Sequence, residues 1–392
     1  FASTFSLVPQ IKFNAAVFIS LVFSGYLLSL LVQAFLEELA PTSVIAVVYE
    51  SRRKLLRGIA YAGFGAVAAA FFTRWAVTDG QFSMGSGGAK GVPLGTMPPE
   101  LTPNENFYVV SKNLEDPIVN PDDWVLRLDG QTETTEQLNL LDLRSLPAQE
   151  EFVTLECVSN PVGGLLISTA RWKGVRLSDL LDIVKLNPNV VDVSFSAQDG
   201  YSESLTLDKA LSDEVMVAYE MNGEPLPNNH GFPARLLVPG YFGLKSVKWL
   251  KRIAPVNYDF TGFWQHRGWS DKPLIKTMSQ FRIPANKEPT MLPEITLGGV
   301  AFAGARGIKA VEFSPDDGNT WIPARVQNPL SPYTWAHWRA EWTPPQAGSY
   351  QMAVRATDGL GDVQTSRTSS TTPDGATGHH RITVRAVPAE GV

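Results

Sequence analysis

The sequence predicts an α+β protein: N-terminal transmembrane helices, then a strand-rich domain with short helices, then an all-β C-terminal sandwich. Three observations carry that prediction. Two uncharged apolar stretches fill much of the first 80 residues. Between residues 101 and 257, short alternating runs are interrupted by one clear helical pattern. From about 291 to 388, alternating runs recur between Asp-Gly turns with no helical period.

Length and composition set the frame. At roughly 150 residues per domain, 392 residues make between two and three domains. Hydrophobic residues at 44% and charged residues at 18% exclude a disordered chain, a collagen and a pure membrane bundle. A net charge of -6 argues against a nucleic-acid surface. The one cysteine, Cys157, excludes an intrachain disulfide, a four-cysteine zinc site and an iron–sulfur cluster. The chain opens on Phe1 rather than Met, consistent with further residues before it.

In chain order, residues 1–80 read as a membrane region with spans at about 13–36 and 56–77. Phe13 to Leu36 has no internal charge and no polar face, and its 24 residues reach across a hydrocarbon core of about 30 Å. Arg74, near the end of the second span, can snorkel to the interface. Between the spans, Ser51 to Arg57 reads SRRKLLR. As ordinary positive-inside charge, it holds Arg52, Arg53, Lys54 and Arg57 in the cytoplasm. It also resembles a twin-arginine signal, with Leu55 and Arg57 in place of the usual Phe and Lys. Both readings put the chain beyond the second span outside the cytoplasm. Residues 81–100, rich in Gly and Pro, read as a linker.

In 101–257, Trp124, Leu126 and Leu128 alternate into Asp129-Gly130, a strand entering a turn. Val153, Leu155 and Cys157 alternate, which brings Cys157 to a strand end. Leu177 to Val184 reads as a helix with Ser178 as its cap. Val191, Val193 and Phe195 alternate ahead of Asp199-Gly200. Residues 258–290, with Trp264, Trp269, Pro273 and Pro284 and no clear period, read as a connector. In 291–388, Val311 and Phe313 lead into Asp316-Asp317-Gly318, and Tyr350, Met352 and Val354 into Asp358-Gly359. Ile382 and Val384 close the pattern of an immunoglobulin-like sandwich. His379-His380 reads as a strand start at the surface.

The chemistry is narrowed by exclusion. The chain has no phosphate-loop motif, no H-E-x-x-H and no G-x-S-x-G. No histidine falls in residues 1–80, so those spans cannot supply bis-histidine haem ligands. Two segments stand out. In FVTLECVSNPVGG, Cys157 enters a glycine turn, where a thiolate can meet a soft metal or a free thiol can simply be buried. In Asn229 to Ile253, His230, Arg235, Lys245 and Lys248 alternate with apolar Leu236, Val238, Val247 and Trp249 and with Gly231, Gly240 and Gly243. Cations beside approachable backbone N–H groups form a cradle for a phosphorylated ligand.

Together these segments resemble the molybdopterin-binding domain of the sulfite oxidase family. The matching residues are Glu156-Cys157 with Asn160, Ala170-Arg171-Trp172-Lys173-Gly174 with Leu177, and Asn222-Gly223-Glu224-Pro225-Leu226-Pro227. They continue through His230-Gly231, Pro233, Arg235, Val238-Pro239-Gly240, Gly243 and Val247-Lys248-Trp249. Val311 to Ser314, Asp317 to Trp321 and Arg355 to Asp358 resemble the family's immunoglobulin-like dimerisation domain. The resemblance implies a molybdenum–molybdopterin cofactor and no haem in this chain. Cys157 is the implied metal ligand and catalytic residue. His230, Arg235, Ser246 and Lys248 are the implied pterin and phosphate contacts, with Tyr108, Lys112 and Asn113 from an upstream loop and Asp199 as a further contact.

Three arginines that surround the substrate oxyanion in animal and plant members are replaced here, at Ser111, at Val162 and near Ala336 or His337. Lys112, Lys245 and Arg171 are the available substitutes. The expected protein is thus a membrane-anchored molybdenum oxidoreductase acting outside the cytoplasm by two-electron oxygen-atom transfer on a small substrate. It exchanges electrons with a separate cytochrome or quinone-linked carrier, binds no nucleic acid, and forms a homodimer through its C-terminal domain. The alternatives are a sulfoxide or N-oxide reductase of the same fold and a membrane-tethered binding module without the metal. An adhesion-type immunoglobulin protein would leave Asn229 to Ile253 unexplained.

Overall fold

A computed structural model describes residues 92–388. The two expected spans and the Ser51–Arg57 cluster lie outside these residues. Among the described residues, no helix is long and apolar enough to cross a membrane.

Two sheets build the first half. One contains Leu126–Leu128 (β1), Glu136–Leu138 (β2), Asp192–Ala197 (β5), Ser202–Thr206 (β6) and Leu250–Val256 (β10), in the order β2-β1-β10-β5-β6. The other runs Gln149–Glu156 (β3), Ile167–Arg176 (β4), Met216–Met221 (β7) and Glu224–Pro225 (β8), with Arg235–Leu237 (β9) also pairing with β7. Helix α1, Leu140–Ser145, begins at a capping box in which Asn139 Oδ1 accepts from the Leu141 and Asp142 N–H groups and Asp142 reaches back to Asn139. Helix α2, Leu177–Val184, buries Leu177, Leu180, Leu181 and Val184, one face at i, i+3, i+4 and i+7. Its range matches the sequence pattern, but Ser178 is not its cap. Strand β4 runs straight into the helix, so Arg176 is the N-cap and position 178 is already inside the first turn. Helix α3 is the single turn Leu207–Ala210.

The second half is a two-layer sandwich. Its strands are Met278–Ile283 (β11), Pro289–Met291 (β12), Ile295–Phe302 (β13), Ile308–Ser314 (β14), Ile322–Val326 (β15), Ala336–Trp342 (β16), Gly348–Asp358 (β17) and His380–Val387 (β18). They follow the path β11-β13-β16-β15-β14-β17-β18-β12. β15 changes layers along its length: Ile322 to Ala324 pair with β14, while Arg325 and Val326 pair with β16. Phe281, Leu297 and Trp338 from one layer pack against Phe313, Met352 and Val354 from the other.

Two expected boundaries shift. Residues 258–290, expected as a connector, include all of β11 and the start of β12. Residues 92–100, expected as linker, dock on the sandwich: Trp335 Nε1 donates to Glu100 O at 3.2 Å, and Arg282 Nη1 to Val92 O at 3.1 Å.

Candidate active site

Strand β3 ends at Glu156 and delivers Cys157 into a tight turn. The Cys157 N–H donates to Leu166 O at 3.0 Å, and the Asn160 N–H donates to Cys157 O at 2.9 Å. The Cys157 thiol is half-buried and 3.0 Å from Ser159 Oγ. Burial raises its pKa, against the hydrogen bonds from Ser159. Glu156, fully enclosed beside it, accepts from Asn160 Nδ2 at 2.9 Å, and desolvation pushes its carboxyl up to about 7.

The basic cradle lies on the return path of the chain. Arg235 opens β9 and is 5% exposed. Its Nη1 donates to His230 O at 3.0 Å and its Nη2 to Ser246 O at 3.2 Å, while Nε is buried with no partner. The guanidinium lies over Trp172, 5.2 Å from the ring centre. Lys248 Nζ donates to Ser111 Oγ at 2.7 Å and to Asn229 O at 3.0 Å. Every one of these acceptors is neutral, so among the described residues neither cation is met by a carboxylate. Desolvation brings Arg235 down to about 10 and Lys248 down to about 7. His230 is held neutral, its pKa down to about 3, by burial and by Arg235, and its Nε2 lies 3.3 Å from Asn104 O. Ser246 Oγ accepts from the Val238 N–H at 3.2 Å, which leaves its own proton free to donate.

Gly231 makes the cradle compact. It sits at φ +107°, and a Cβ there would lie 3.0 Å from Lys248 Cα and 3.2 Å from Arg235 Cβ. The two halves of the site meet at Tyr108. A Cβ on Gly243 would come 2.9 Å from Tyr108 Oη and 3.4 Å from Glu156 O, so the turn at 243, Tyr108 and the end of β3 are packed together. Burial raises the Tyr108 phenol well above its usual range, and both Cys157 and Arg235 act on it electrostatically.

The upstream loop is tied to the β5–β6 turn. Lys112 Nζ donates to Asn113 Oδ1 and to Asp199 O, both at 2.8 Å, and Asn113 Nδ2 donates to Asp199 O at 3.4 Å. Asp199 Oδ1 accepts from the Tyr201 N–H at 2.9 Å, and Oδ2 lies 3.8 Å from Lys112 Nζ. In this structure the Asp199 carboxylate closes its own turn and pairs with Lys112.

Lys245 departs from the sequence reading. It is 2% exposed and pairs with buried Glu203 at 2.7 Å and with Asp271 at 3.1 Å. It is a strut under the 243–245 turn, not part of the cradle. Lys245→Met is expected to cost about 3–5 kcal/mol in a urea titration, because Glu203 is left buried and unpaired. Adding Glu203→Gln is expected to restore part of that loss.

The other proposed substitutes for the missing arginines are also engaged, Lys112 with Asp199 and Arg171 with Glu150 at 3.6 Å. Ser111 touches the cradle directly through Lys248. His337 is half-buried in β16, its Nε2 has no partner, and burial brings its pKa down to about 4. His380 is not at the surface: its Nδ1 accepts from the Phe281 N–H at 3.0 Å, and its ring lies against Gly163. Sequence reasoning missed Tyr201, whose hydroxyl donates to Leu244 O at 2.9 Å, and the buried pair Gln280 and Arg282. The Gly163-Gly164 doublet was the available signal that another part of the chain comes close.

The depressed lysine has a consequence for pH. Unfolded, Lys248 keeps its proton up to about 10.5; folded, it loses it near 7. Between those values the unfolded state binds more protons, so the stability of cofactor-free protein rises with pH across that window. Below 7 both states are protonated and the cost of burying the charge is fully present. Thermal unfolding of cofactor-free protein from pH 6.5 to 9.5 checks this, and Lys248→Met is expected to flatten the rise.

The donor set fits a molybdopterin. No group of three His, Cys, Asp or Glu side chains is placed to hold a metal among the described residues, so a metal here needs ligands from an organic cofactor beside the single thiolate. Arg235 Nε, without a partner among the described residues, and two cations whose hydrogen bonds go to neutral acceptors suit an anionic phosphate. Residues 113–264 match the family model of the oxidoreductase molybdopterin-binding domain, and this match together with two sulfite oxidase relatives makes the chain a molybdopterin oxidoreductase. The sulfite oxidase of Gallus gallus is 34% identical over 313 residues, 67% of this chain and 68% of that protein. The sulfite oxidase of Arabidopsis thaliana is 30% identical over 67% of this chain and 82% of that protein. This chain belongs to the sulfite oxidase family. It spans 56% of the Homo sapiens mitochondrial sulfite oxidase, to which it is 32% identical. In fold it is similar to the sulfane dehydrogenase SoxCD of Paracoccus pantotrophus, with a TM-score of 0.67 and 21% identity over 75% of this chain and 84% of that one.

Proposed function

We propose that the protein carries out two-electron oxygen-atom transfer on a small substrate outside the cytoplasm, anchored by its N-terminal spans and exchanging electrons with a separate carrier. The observation that carries this reading is one half-buried thiol together with two cations, Arg235 and Lys248, that no carboxylate contacts among the described residues. When bound, the cofactor supplies the oxygen-atom and electron chemistry. Arg235 and Lys248 hold its phosphate, Ser246 donates a hydrogen bond, and neutral His230 donates or accepts without adding charge. Cys157 supplies the thiolate. Tyr108, whose phenol burial holds well above its usual range, keeps its hydroxyl proton at ordinary pH.

The sulfoxide or N-oxide reductase reading has its own support. The three positions of the family's substrate arginines hold Ser111, Val162 and Ala336 or His337, and the nearby cations are spent on Asp199, Glu203 and Glu150. A dianion in a dry pocket needs compensating charge, so this pocket favours a substrate of lower charge. Reduction of a sulfoxide would take two electrons from the carrier and two protons and release the thioether and water. The sandwich is taken as an immunoglobulin-like dimerisation domain.

The test is a molybdenum assay of protein from a molybdate-fed host, followed by turnover with sulfite, dialkyl sulfoxides and N-oxides against an artificial electron carrier. About one molybdenum per chain with turnover of any of these supports the reading; well-folded protein without molybdenum overturns it. Arg52→Lys with Arg53→Lys is expected to block export, and light scattering at micromolar concentration is expected to show a dimer.

A further inference from the structure

We propose that the sandwich domain holds the metal-site turn in place through Gln280, acting as a positioning residue fixed by the buried cation Arg282. The inference rests on Cys157 being the metal ligand. The turn after Cys157 closes on itself: Asn160 Nδ2 donates to Glu156 Oε1 at 2.9 Å, and Asn160 Oδ1 accepts from the Leu166 N–H at 3.0 Å. Its far side is made by two glycines that leave no room for a side chain. A Cβ on Gly164 would lie 2.3 Å from Asn160 Oδ1, and one on Gly163 would lie 2.4 Å from the His380 ring.

Gln280 is fully buried on β11. With its amide nitrogen toward the turn, it donates to Gly164 O at 3.0 Å, and its oxygen accepts from Arg282 Nη2 at 3.1 Å and Nε at 3.3 Å. That orientation is assigned from the network, since the reverse sets oxygen against oxygen. Arg282 is 1% exposed, and its partners among the described residues are the Gln280 oxygen and Val92 O, both neutral. A buried guanidinium without a carboxylate is costly. Here it fixes which end of Gln280 faces Gly164, and so gives the turn a donor it cannot supply itself. His380, oriented by the Phe281 N–H, closes the adjacent side.

Gln280→Glu separates this role from folding. The new carboxylate still accepts from Arg282, as an ion pair, but cannot donate to Gly164 O. Full-length Gln280→Glu is expected to unfold no earlier than wild type. Its Mo(V) resonance spectrum is expected to change, and its kcat to fall about tenfold with KM little altered, in the range of second-shell changes at metal sites. A second readout needs no cofactor. Cys157 is the one cysteine, so its alkylation rate by a maleimide in protein from a host unable to make the cofactor reports the turn alone. We expect that rate to rise about tenfold, in line with the same second-shell range. Arg282→Met, which frees the Gln280 amide to rotate, is expected to move both readouts in the same direction by less. An unchanged spectrum and an unchanged alkylation rate in Gln280→Glu would overturn the inference. Absence of molybdenum from wild type would remove the proposed function, while the alkylation rates would still decide the positioning role.

Discussion

Cys157→Ser is expected to abolish turnover, by on the order of 1000-fold or more, since loss of a ligand exceeds the ~10–100-fold cost of disturbing its supports. The expected change in unfolding temperature is small, no more than about 2 °C. The thiol is half-buried and, among the described residues, its side chain makes one polar contact, with Ser159, so the fold has little invested in it. A serine hydroxyl keeps its proton at neutral pH and offers a hard oxygen where a soft metal needs a thiolate. Turnover, molybdenum per chain and the Mo(V) spectrum, measured beside wild type, check the prediction. Wild-type turnover in the serine variant would show that the thiol is not a ligand.

The second large effect is expected at Arg235. A charge-assisted hydrogen bond contributes about 1.5–3 kcal/mol, and a factor of ten corresponds to about 1.4 kcal/mol. Losing one charge-assisted contact with phosphate should therefore weaken cofactor retention about 10- to 100-fold. Arg235→Gln removes the charge and keeps a donor near the His230 and Ser246 carbonyls. Because a buried cation without a carboxylate is itself unfavourable, the cofactor-free variant should be at least as stable as cofactor-free wild type. Pterin released from purified protein, together with thermal unfolding of the cofactor-free form, tests both halves. A variant that keeps its cofactor but unfolds early would make Arg235 a structural residue.

How far the sequence revealed the site depends on which contacts are local. Cys157 at a strand end, the α2 helix and the alternating strands β5, β14, β17 and β18 depend on neighbouring residues, and each was legible. Lys245 was not, because its partner Glu203 is 42 residues away and nothing beside it in the chain carries that pairing. Strand β11 escaped for a different reason. Its sequence, Met278-Ser279-Gln280-Phe281-Arg282-Ile283, is buried on both faces, one in the sandwich core and one against the catalytic domain. Polar Ser279, Gln280 and Arg282 are thus buried, and the apolar alternation that marks a half-exposed strand never develops. His380 was misplaced for the same reason, since its neighbour across the domain boundary is Gly163.

The bonds that tie the sandwich to the rest of the protein join distant parts of the chain. Trp335 reaches Glu100 across 235 residues, Arg282 reaches Val92 across 190, and the Trp335 N–H reaches Thr154 Oγ1 across 181. Biosynthesis runs from the N-terminus, so β11 and β18, which lie against the Cys157 turn, leave the ribosome well after it. The backing of the Cys157 turn is therefore complete only once β11 and β18 have formed.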